Sequence, residues 1–272
     1  MPESVSLSRE SSPANARCRL GLVLSGGGSR AVAQIGVIRA LLEEGIVPSC
    51  VVGVSGGALV GALYAAGYSP IGMLEFFKTT DPFRIAHVSF GKPGLLDPIK
   101  LVPLFQRYFP VDSFAALRTP LKVVATDLQR GTSRVFDSGP LLLPVLASSS
   151  FPMVFSPVEI EGRWYGDGGI IDNFPVRLLQ GMCDVTLGVH ASPLREWTKE
   201  DLGSSLAVLQ RSLEVGMFSK SRESFEHCHV VIQPEGVSEF GMFTTGHFTE
   251  IEACGYKAAR KRIAEIKQLV AV

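Results

Sequence analysis

Residues 19–67 read RLGLVLSGGGSRAVAQIGVIRALLEEGIVPSCVVGVSGGALVGALYAAG and contain one pattern twice. A short apolar run without polar alternation comes first, as is typical of a strand covered on both faces. A glycine-rich turn and a helical pattern follow. In the first copy we predict a strand at 19–25 and a helix at 31–44. In the second copy the strand ends at Ser55 and the helix spans residues 57–66.

The rest of the chain continues this alternation of strands and helices. Further buried strands are predicted at 121–128, 184–190 and 229–234, with a hairpin at 158–166. Helices are predicted at 98–109, 140–149, 175–182, 203–222 and 249–270. The alternation predicts an α/β fold with three α/β/α layers around a mostly parallel central sheet.

The pattern predicts one domain over residues 19–272, preceded by a disordered leader at 1–18. The leader is rich in serine and charged residues, and it has no apolar run of the kind that a signal peptide needs. Neither an internal repeat nor a linker divides the remainder of the sequence.

The composition argues against several classes of protein. Hydrophobic residues make up 46% of the chain and charged residues 19%, and 26 basic side chains balance 26 acidic ones. Disordered and nucleic-acid-binding proteins differ from this balance, so we expect no nucleic-acid partner. Two uncharged stretches, 45–74 and 138–158, are long enough to span a bilayer, but glycines and prolines interrupt them. We therefore expect a cytoplasmic protein whose contact with a membrane surface is at most transient.

Five cysteines are scattered along the chain without C-x-x-C spacing: Cys18, Cys50, Cys183, Cys228 and Cys254. The odd number and the spacing fit neither a disulfide framework nor a zinc site. A reducing compartment is the simplest interpretation, and the sequence predicts no metal and no cofactor.

The motif GVSGG, residues 53–57, fits G-x-S-x-G at the point where a buried strand turns into a helix. A nucleophile elbow places its serine on such a turn and needs glycine two positions to either side, here Gly53 and Gly57, because a Cβ would collide with neighbouring backbone. The amides of Gly56 and Gly57 would open the following helix, so their partial positive charge would face an oxyanion formed at Ser55. The alternative is a tight turn in which Ser55 only caps a helix.

The sequence SGGGSR, residues 25–30, places three glycines between a strand and a helix. The unshielded backbone NH groups of Gly26, Gly27 and Gly28 would form an anion cradle. A dinucleotide fingerprint would need an acidic residue at the end of the second strand, where Ser55 stands, and a P-loop would need G-K-[ST]. We therefore interpret the glycines as an oxyanion hole beside Ser55.

A serine nucleophile needs a base, and the sequence offers candidates of two kinds. Asp167 lies in YGDGG, residues 165–169, after the predicted hairpin, although Asp-Gly is also ordinary turn chemistry. The five histidines (His87, His190, His227, His229 and His247) carry no triad signature. A histidine-triad esterase with His190 or His247 as the base and a non-catalytic binding module both stay open as alternatives.

Taken in order, these motifs resemble the patatin-like phospholipase family. The resemblance depends on the glycine triplet, GVSGG, SSSFPMVFSPV (148–158) and DGGIIDNFPV (167–176), and it extends to TDLQRG (126–131) within roughly residues 19–192. Departures from the family pattern are Ala31, where glycine is common, and Gly56, where alanine is frequent. Neither change removes a reacting group.

The resemblance implies an acyl hydrolase that acts through a serine–aspartate dyad without histidine. The matching positions are Ser55 and Asp167, with Gly26, Gly27 and Gly28 as the oxyanion loop and Arg30 at the family's basic position. The implied reaction is cleavage of ester-linked acyl chains from phospholipids or related lipids. Headgroup, acyl length and oligomeric state are not implied.

Two further expectations concern the surroundings of this dyad. An aspartate base needs an apolar environment that raises its pKa, and its candidate walls, which are equally well explained as ordinary core, are Phe151, Met153, Phe155 and Trp164. A basic cluster on the last helix is interpreted first as a solvated helix face, and the alternative is contact with anionic headgroups: Lys257, Arg260, Lys261, Arg262 and Lys267.

Overall fold

A computed structural model describes residues 18–80 and 93–270 of the 272-residue chain. The strands are β1 (Cys18–Leu24), β2 (Cys50–Val54), β3 (Leu121–Asp127), β4 (Thr132–Phe136), β5 (Val158–Ile160), β6 (Arg163–Asp167), β7 (Cys183–Val189) and β8 (Val230–Ile232). The helices are α1 (Ala33–Glu43), α2 (Gly56–Ala65), α3 (Pro70–Thr79), α4 (Val102–Phe105), α5 (Leu142–Ser148), α6 (Gly169–Asp172), α7 (Ser205–Glu223) and α8 (Phe248–Val270). The leader predicted at 1–18 lies outside the described residues except for Cys18, which begins β1.

The strands form one mixed sheet in the order β5-β6-β3-β2-β1-β7-β8, with β4 paired to β3. Strands β3, β2, β1, β7 and β8 are parallel to one another, whereas β4, β5 and β6 run antiparallel to their partners. Helices cover the sheet, and two groups of buried apolar side chains flank it. The predicted fold class, a three-layer α/β/α arrangement with a mostly parallel sheet, is confirmed.

Helices α1 and α8 cross at two glycines. A Cβ at Gly36 would collide with the backbone of Glu252 and Tyr256, and a Cβ at Gly255 would collide with the carbonyl of Ala33. The two backbones approach so closely because neither glycine carries a side chain. The guanidinium of Arg39 adds a contact above the ring of Tyr256, 3.9 Å from its centroid.

Several predicted elements differ from the structure. The helix predicted at 175–182 is a 3-10 turn at Val176–Leu179, and the helix predicted at 98–109 is a 3-10 turn at Pro98–Leu101 followed by the short α4. Pro103 interrupts the longer helix predicted at 98–109, because it lacks the NH group that an interior helical position needs. The turn at Val176–Leu179 ends because Gln180 has an extended ψ of 131° and Gly181 has a positive φ of 72°. Three of these strands and helices were not predicted: α3, which Ser69 caps by accepting from the amide of Gly72, the largely exposed β4 and the short α6.

Candidate active site

The two glycine-rich loops meet at one edge of the sheet. Strands β1 and β2 are parallel neighbours, with Leu24 paired to Gly53. The loop 25–28 and the turn at Ser55 therefore leave the sheet side by side at its carboxyl edge. In open α/β sheets ligands bind outside this edge.

Ser55 occupies a strained turn between β2 and α2. Its backbone angles are φ 53° and ψ −128°, a combination that residues other than glycine rarely adopt. A Cβ at Gly53 would stand 2.6 Å from the Cα of Ala58, and one at Gly57 would collide with the carbonyl of Leu24. The glycines therefore allow the sharp turn that presents the hydroxyl of Ser55, as the elbow motif predicts.

The hydroxyl of Ser55 donates a hydrogen bond of 2.6 Å to Oδ2 of Asp167, a residue 112 positions further along the chain. Strand pairing explains how they meet. Strand β4 pairs with residues 123–127 along one edge of β3, so β6 must use the opposite edge. On that edge β2 pairs as far as Val124, and Asp167 pairs with Ala125. The end of β6 therefore lies directly beyond the end of β2, where Ser55 follows.

Asp167 is buried and firmly positioned. Its side chain is 1% exposed, and its Oδ1 accepts a 2.8 Å hydrogen bond from the amide of Gly169. Burial raises its pKa from 3.8 to about 6, because desolvation outweighs the opposite effect of the hydrogen bonds from Ser55 and Gly169. A carboxylate with this pKa is a better proton acceptor than an exposed aspartate.

Three glycines of the two loops line the same cavity as Ser55. Gly27, Gly28 and Gly56 line it, and their NH groups donate no hydrogen bond to another described residue. Gly26 differs from the expectation for an oxyanion residue, because its amide already donates to Oδ1 of Asn173 at 3.0 Å. Gly26 and Asn173 therefore position the loop, and Asn173 was not singled out from the sequence.

Arg30 does not line the cavity that contains Ser55. It is 6% exposed, and its Nε donates a 2.7 Å hydrogen bond to the carbonyl of Phe240. Arg30 instead lines a separate depression, to which Glu214 and Asn173 also contribute. Burial lowers the pKa of Arg30, whereas Glu214 raises it. The geometry favours a structural role for Arg30 over contact with a substrate phosphate.

The cavity beside Ser55 is strongly apolar. Of the four predicted walls, Phe151 and Phe155 line it, whereas Trp164 does not and Met153 is 44% exposed. The other apolar lining residues, which the sequence did not indicate, are Leu59, Phe77, Pro98, Leu101, Phe105, Leu146, Met217, Met242 and Phe248. These residues are spread along the chain between α2 and α8, so only the tertiary structure brings them together.

No histidine is among the described residues that line this cavity. His190 is fully buried against the rings of Phe174, Phe218 and Phe225, and neither ring nitrogen has a hydrogen-bond partner. Burial lowers its pKa to about 4. His247 is on the surface, where its Nδ1 lies 3.5 Å from Oε1 of Glu250. Neither residue is placed to take a proton from Ser55.

Most of the basic cluster on α8 is paired with carboxylates. Arg260 and Lys267 contact Glu44, Lys261 contacts Glu235, and Arg262 contacts Glu265. Pairing reduces the charge that this helix offers to a membrane surface. None of the helices within the described ranges combines the length and the hydropathy of a membrane span.

The family model of the patatin-like phospholipases matches residues 22–179, and the chain belongs to this family. An uncharacterized NTE family protein of Mycobacterium tuberculosis is 34% identical over 190 residues, which cover 65% of this chain and 52% of that protein. A lysophospholipase of Chaetomium globosum is 27% identical over 302 residues, covering 92% of this chain and 18% of that protein. The chain thus spans about half the length, or less, of these relatives.

The fold is also found in a solved structure. VipD from Legionella pneumophila superposes with a TM-score of 0.55 at 15% sequence identity, covering 97% of this chain and 72% of that one. At this level of identity the similarity concerns the fold alone.

Proposed function

We propose that this protein is a serine acyl hydrolase that cleaves ester-linked acyl chains from phospholipids or related lipids. The observation that carries the proposal is the 2.6 Å hydrogen bond from Ser55 to a buried Asp167, both of which line an apolar cavity. Membership of the patatin-like phospholipase family supports the same reaction class. We also propose that residues 19–272 act as one domain, since α1 and α8, near its two ends, pack against each other.

The proposed reaction begins when Ser55 attacks the ester carbonyl and Asp167 accepts its proton. The negative charge moves to the carbonyl oxygen, where the free amides of Gly27, Gly28 and Gly56 would donate to it. Such a donor contributes about 10²- to 10³-fold in rate. The oxyanion then collapses, the alcohol leaves with the proton from Asp167, and water hydrolyses the acyl-enzyme by the same steps.

The acyl chain would occupy the apolar cavity. Phe77, Phe105, Phe151, Phe155 and Phe248 offer it a water-poor surface, and burial of each methylene stabilises the complex by about 0.8 kcal/mol. Asp167 lines the same cavity, so an acyl chain that fills it would also keep water from the carboxylate of the general base.

A fluorophosphonate reagent tests the dyad directly, because it forms a covalent bond with an activated serine. We expect labelling of Ser55 in the native protein, none in Ser55→Ala, and labelling slowed by about 10²- to 10⁴-fold in Asp167→Asn. His190→Ala and His247→Ala should be labelled at the native rate in folded protein. If a histidine variant loses labelling as strongly as Asp167→Asn does, a histidine triad is favoured instead. If fluorophosphonate never labels the native protein, a non-catalytic binding module is favoured.

The substrate class needs a separate measurement. Product analysis by mass spectrometry on a mixed panel of phospholipids, lysophospholipids and neutral lipids would identify which ester is cleaved, with Ser55→Ala as the control. Release of fatty acid from no member of the panel, by protein that fluorophosphonate labels, would contradict the lipid substrate and leave the dyad intact.

A further inference from the structure

Three cysteines that are far apart in the sequence meet at the end of the sheet opposite Ser55. Cys18, Cys50 and Cys183 are the first residues of β1, β2 and β7, which are neighbours in the order β2-β1-β7. Their sulfur atoms all lie within 4.8 Å of one another, and Cys50 Sγ is 2.9 Å from Cys183 Sγ. Parallel pairing brings the amino ends of the three strands to one edge.

The packing around these thiols leaves room for them. A Cβ at Gly21 would stand 2.6 Å from Cys183 Sγ, so the sulfur occupies space that the missing side chain of Gly21 leaves free. Cys50 is 3% exposed and Cys183 is 8% exposed. Cys18 is half-buried and gives the cluster an approach from solvent.

We propose that Cys18, Cys50 and Cys183 bind one soft, thiophilic metal ion, with Cu(I) as the ion that three sulfur donors suit. Thiolates select soft ions such as Cu(I) and Zn²⁺. A planar three-coordinate site with metal–sulfur bonds of about 2.3 Å separates its sulfur atoms by about 4.0 Å. The three sulfur atoms all lie within 4.8 Å of one another, and those of Cys50 and Cys183, which are 2.9 Å apart, must separate by about 1 Å to hold the ion.

The donor set distinguishes Cu(I) from Zn²⁺. Structural Zn²⁺ sites in proteins take four ligands. Among the residues that the structure describes, no histidine, aspartate or glutamate joins the three sulfur atoms in this group. Zn²⁺ would therefore need a solvent molecule as its fourth ligand, whereas Cu(I) is satisfied by three thiolates.

Binding of the ion is coupled to the loss of the thiol protons. When the ion binds, three metal–sulfur bonds form and three S–H protons pass to solvent, with no change in oxidation state. Binding should therefore strengthen as the pH rises.

The test titrates the reduced, full-length protein with Cu(I) under anaerobic conditions, in competition with a chromophoric Cu(I) chelator. We expect one equivalent to bind with a near-ultraviolet sulfur-to-copper absorption band and to raise the melting temperature. A parallel titration with Zn²⁺ should show weaker binding. Ester turnover by the native protein should not change, because Ser55 lies at the other end of β2.

Single serine variants assign the ligands. Cys18→Ser, Cys50→Ser and Cys183→Ser should each weaken Cu(I) binding by more than the about 10- to 100-fold typical of a change outside the ligand shell. Cys254→Ser is the matched control, because Cys254 is also a partly buried thiol and lies outside the cluster. Cys18→Ser keeps the test valid if a change at the buried positions prevents folding.

Two results would overturn the proposal. One is a native affinity for Cu(I) no greater than that of Cys18→Ser. The other is a Cys50–Cys183 disulfide, detected by mass spectrometry after hydrogen peroxide treatment, in a protein whose reduced form binds no Cu(I).

Discussion

The carboxylate of Asp167 has two opposite effects on this protein. As a buried acceptor it is placed 2.6 Å from the hydroxyl of Ser55, and its pKa of about 6 suits a general base. The same burial makes its ionised form unfavourable in the folded state. Activity and stability should therefore respond to this residue in opposite directions.

The activity of the native protein should depend on one ionisation near pH 6. Asp167 accepts a proton only when ionised, so kcat/KM should rise with pH through an apparent pKa close to 6 rather than 3.8. The measurement uses a neutral ester over pH 4.5 to 8, with far-ultraviolet circular dichroism showing that the fold survives. A limb that disappears in His190→Ala would contradict the assignment.

Asp167→Asn should stabilise the fold while it removes activity. Folding raises the pKa of Asp167 from 3.8 to about 6. Above pH 6 its ionised carboxylate therefore lowers the free energy of unfolding by up to about 3 kcal/mol. This destabilisation disappears as the pH falls from about 6 towards 3.8. Asparagine keeps an oxygen for the amide of Gly169 and carries no charge. Urea denaturation should show a more stable variant at pH 8 and a smaller difference at pH 5. A less stable variant at pH 8 would show that the charge is not the dominant cost.

At the scale of helices and strands, the structure depends on backbone approaches that glycine permits. Gly36 and Gly255 allow α1 and α8 to touch, just as Gly53 and Gly57 allow the turn at Ser55. A glycine in a helix interior destabilises the fold by about 0.5 to 1 kcal/mol relative to alanine. Glycine is therefore the favourable residue only at positions where a side chain would not fit.

Gly255→Ala should destabilise the protein by about 1 to 3 kcal/mol, because its methyl group would collide with the carbonyl of Ala33. Gly216→Ala in α7 is the matched control, since no atom lies within 4 Å of an added Cβ there. The control should be neutral or stabilised by up to about 1 kcal/mol. Thermal and urea unfolding measure both variants, and equal stabilities would mean that α1 and α8 can separate without cost.

The local motifs were predictable from the sequence and the tertiary arrangements were not. The elbow at Ser55 needs glycines at fixed positions, and Asp167 follows a recognisable hairpin, so both stood out. That Asp167 meets Ser55 depends on β6 pairing with β3 where β2 ends, and no short-range pattern specifies that pairing. The family resemblance supplied what periodicity could not.

Other parts of the site depend on still more distant contacts. Phe77 and Phe248 line the cavity from helices that are far apart in the sequence. The hydrogen bond from the amide of Gly26 to Asn173 likewise joins residues 147 positions apart. The thiol cluster had the wrong spacing for a recognised motif, because three separate strands bring it together.

At the scale of the whole molecule, the centre of the sheet pairs strands that are far apart in the chain. Strand β1 lies between β2 and β7, and its residues from Cys18 to Leu24 pair with Cys183 to Val189. The described sheet is therefore incomplete without residues that follow the segment matched by the family model, which ends at residue 179.

A fragment of residues 18–180 should not fold, although it contains both Ser55 and Asp167. It lacks β7, which would leave an edge of β1 unpaired, and α8, which covers α1. Circular dichroism and limited proteolysis should show loss of cooperative unfolding, and fluorophosphonate should not label it. Adding residues 181–270 restores the full described structure and is the control. A fragment with a sharp thermal transition would disprove the dependence on β7 and α8.

The central position of β1 also determines how long this strand waits for its partner β7 during synthesis on the ribosome. A ribosome adds about 5 to 20 residues per second, so about 10 to 30 seconds separate the appearance of β1 from that of β7. During this interval the apolar β1 has one unprotected edge, and pairing with strands of other nascent chains competes with correct folding. Slow growth of the chain therefore exposes this protein to aggregation before its last native strands exist, and a chaperone that shields β1 should raise the yield of folded protein more than one that acts after release.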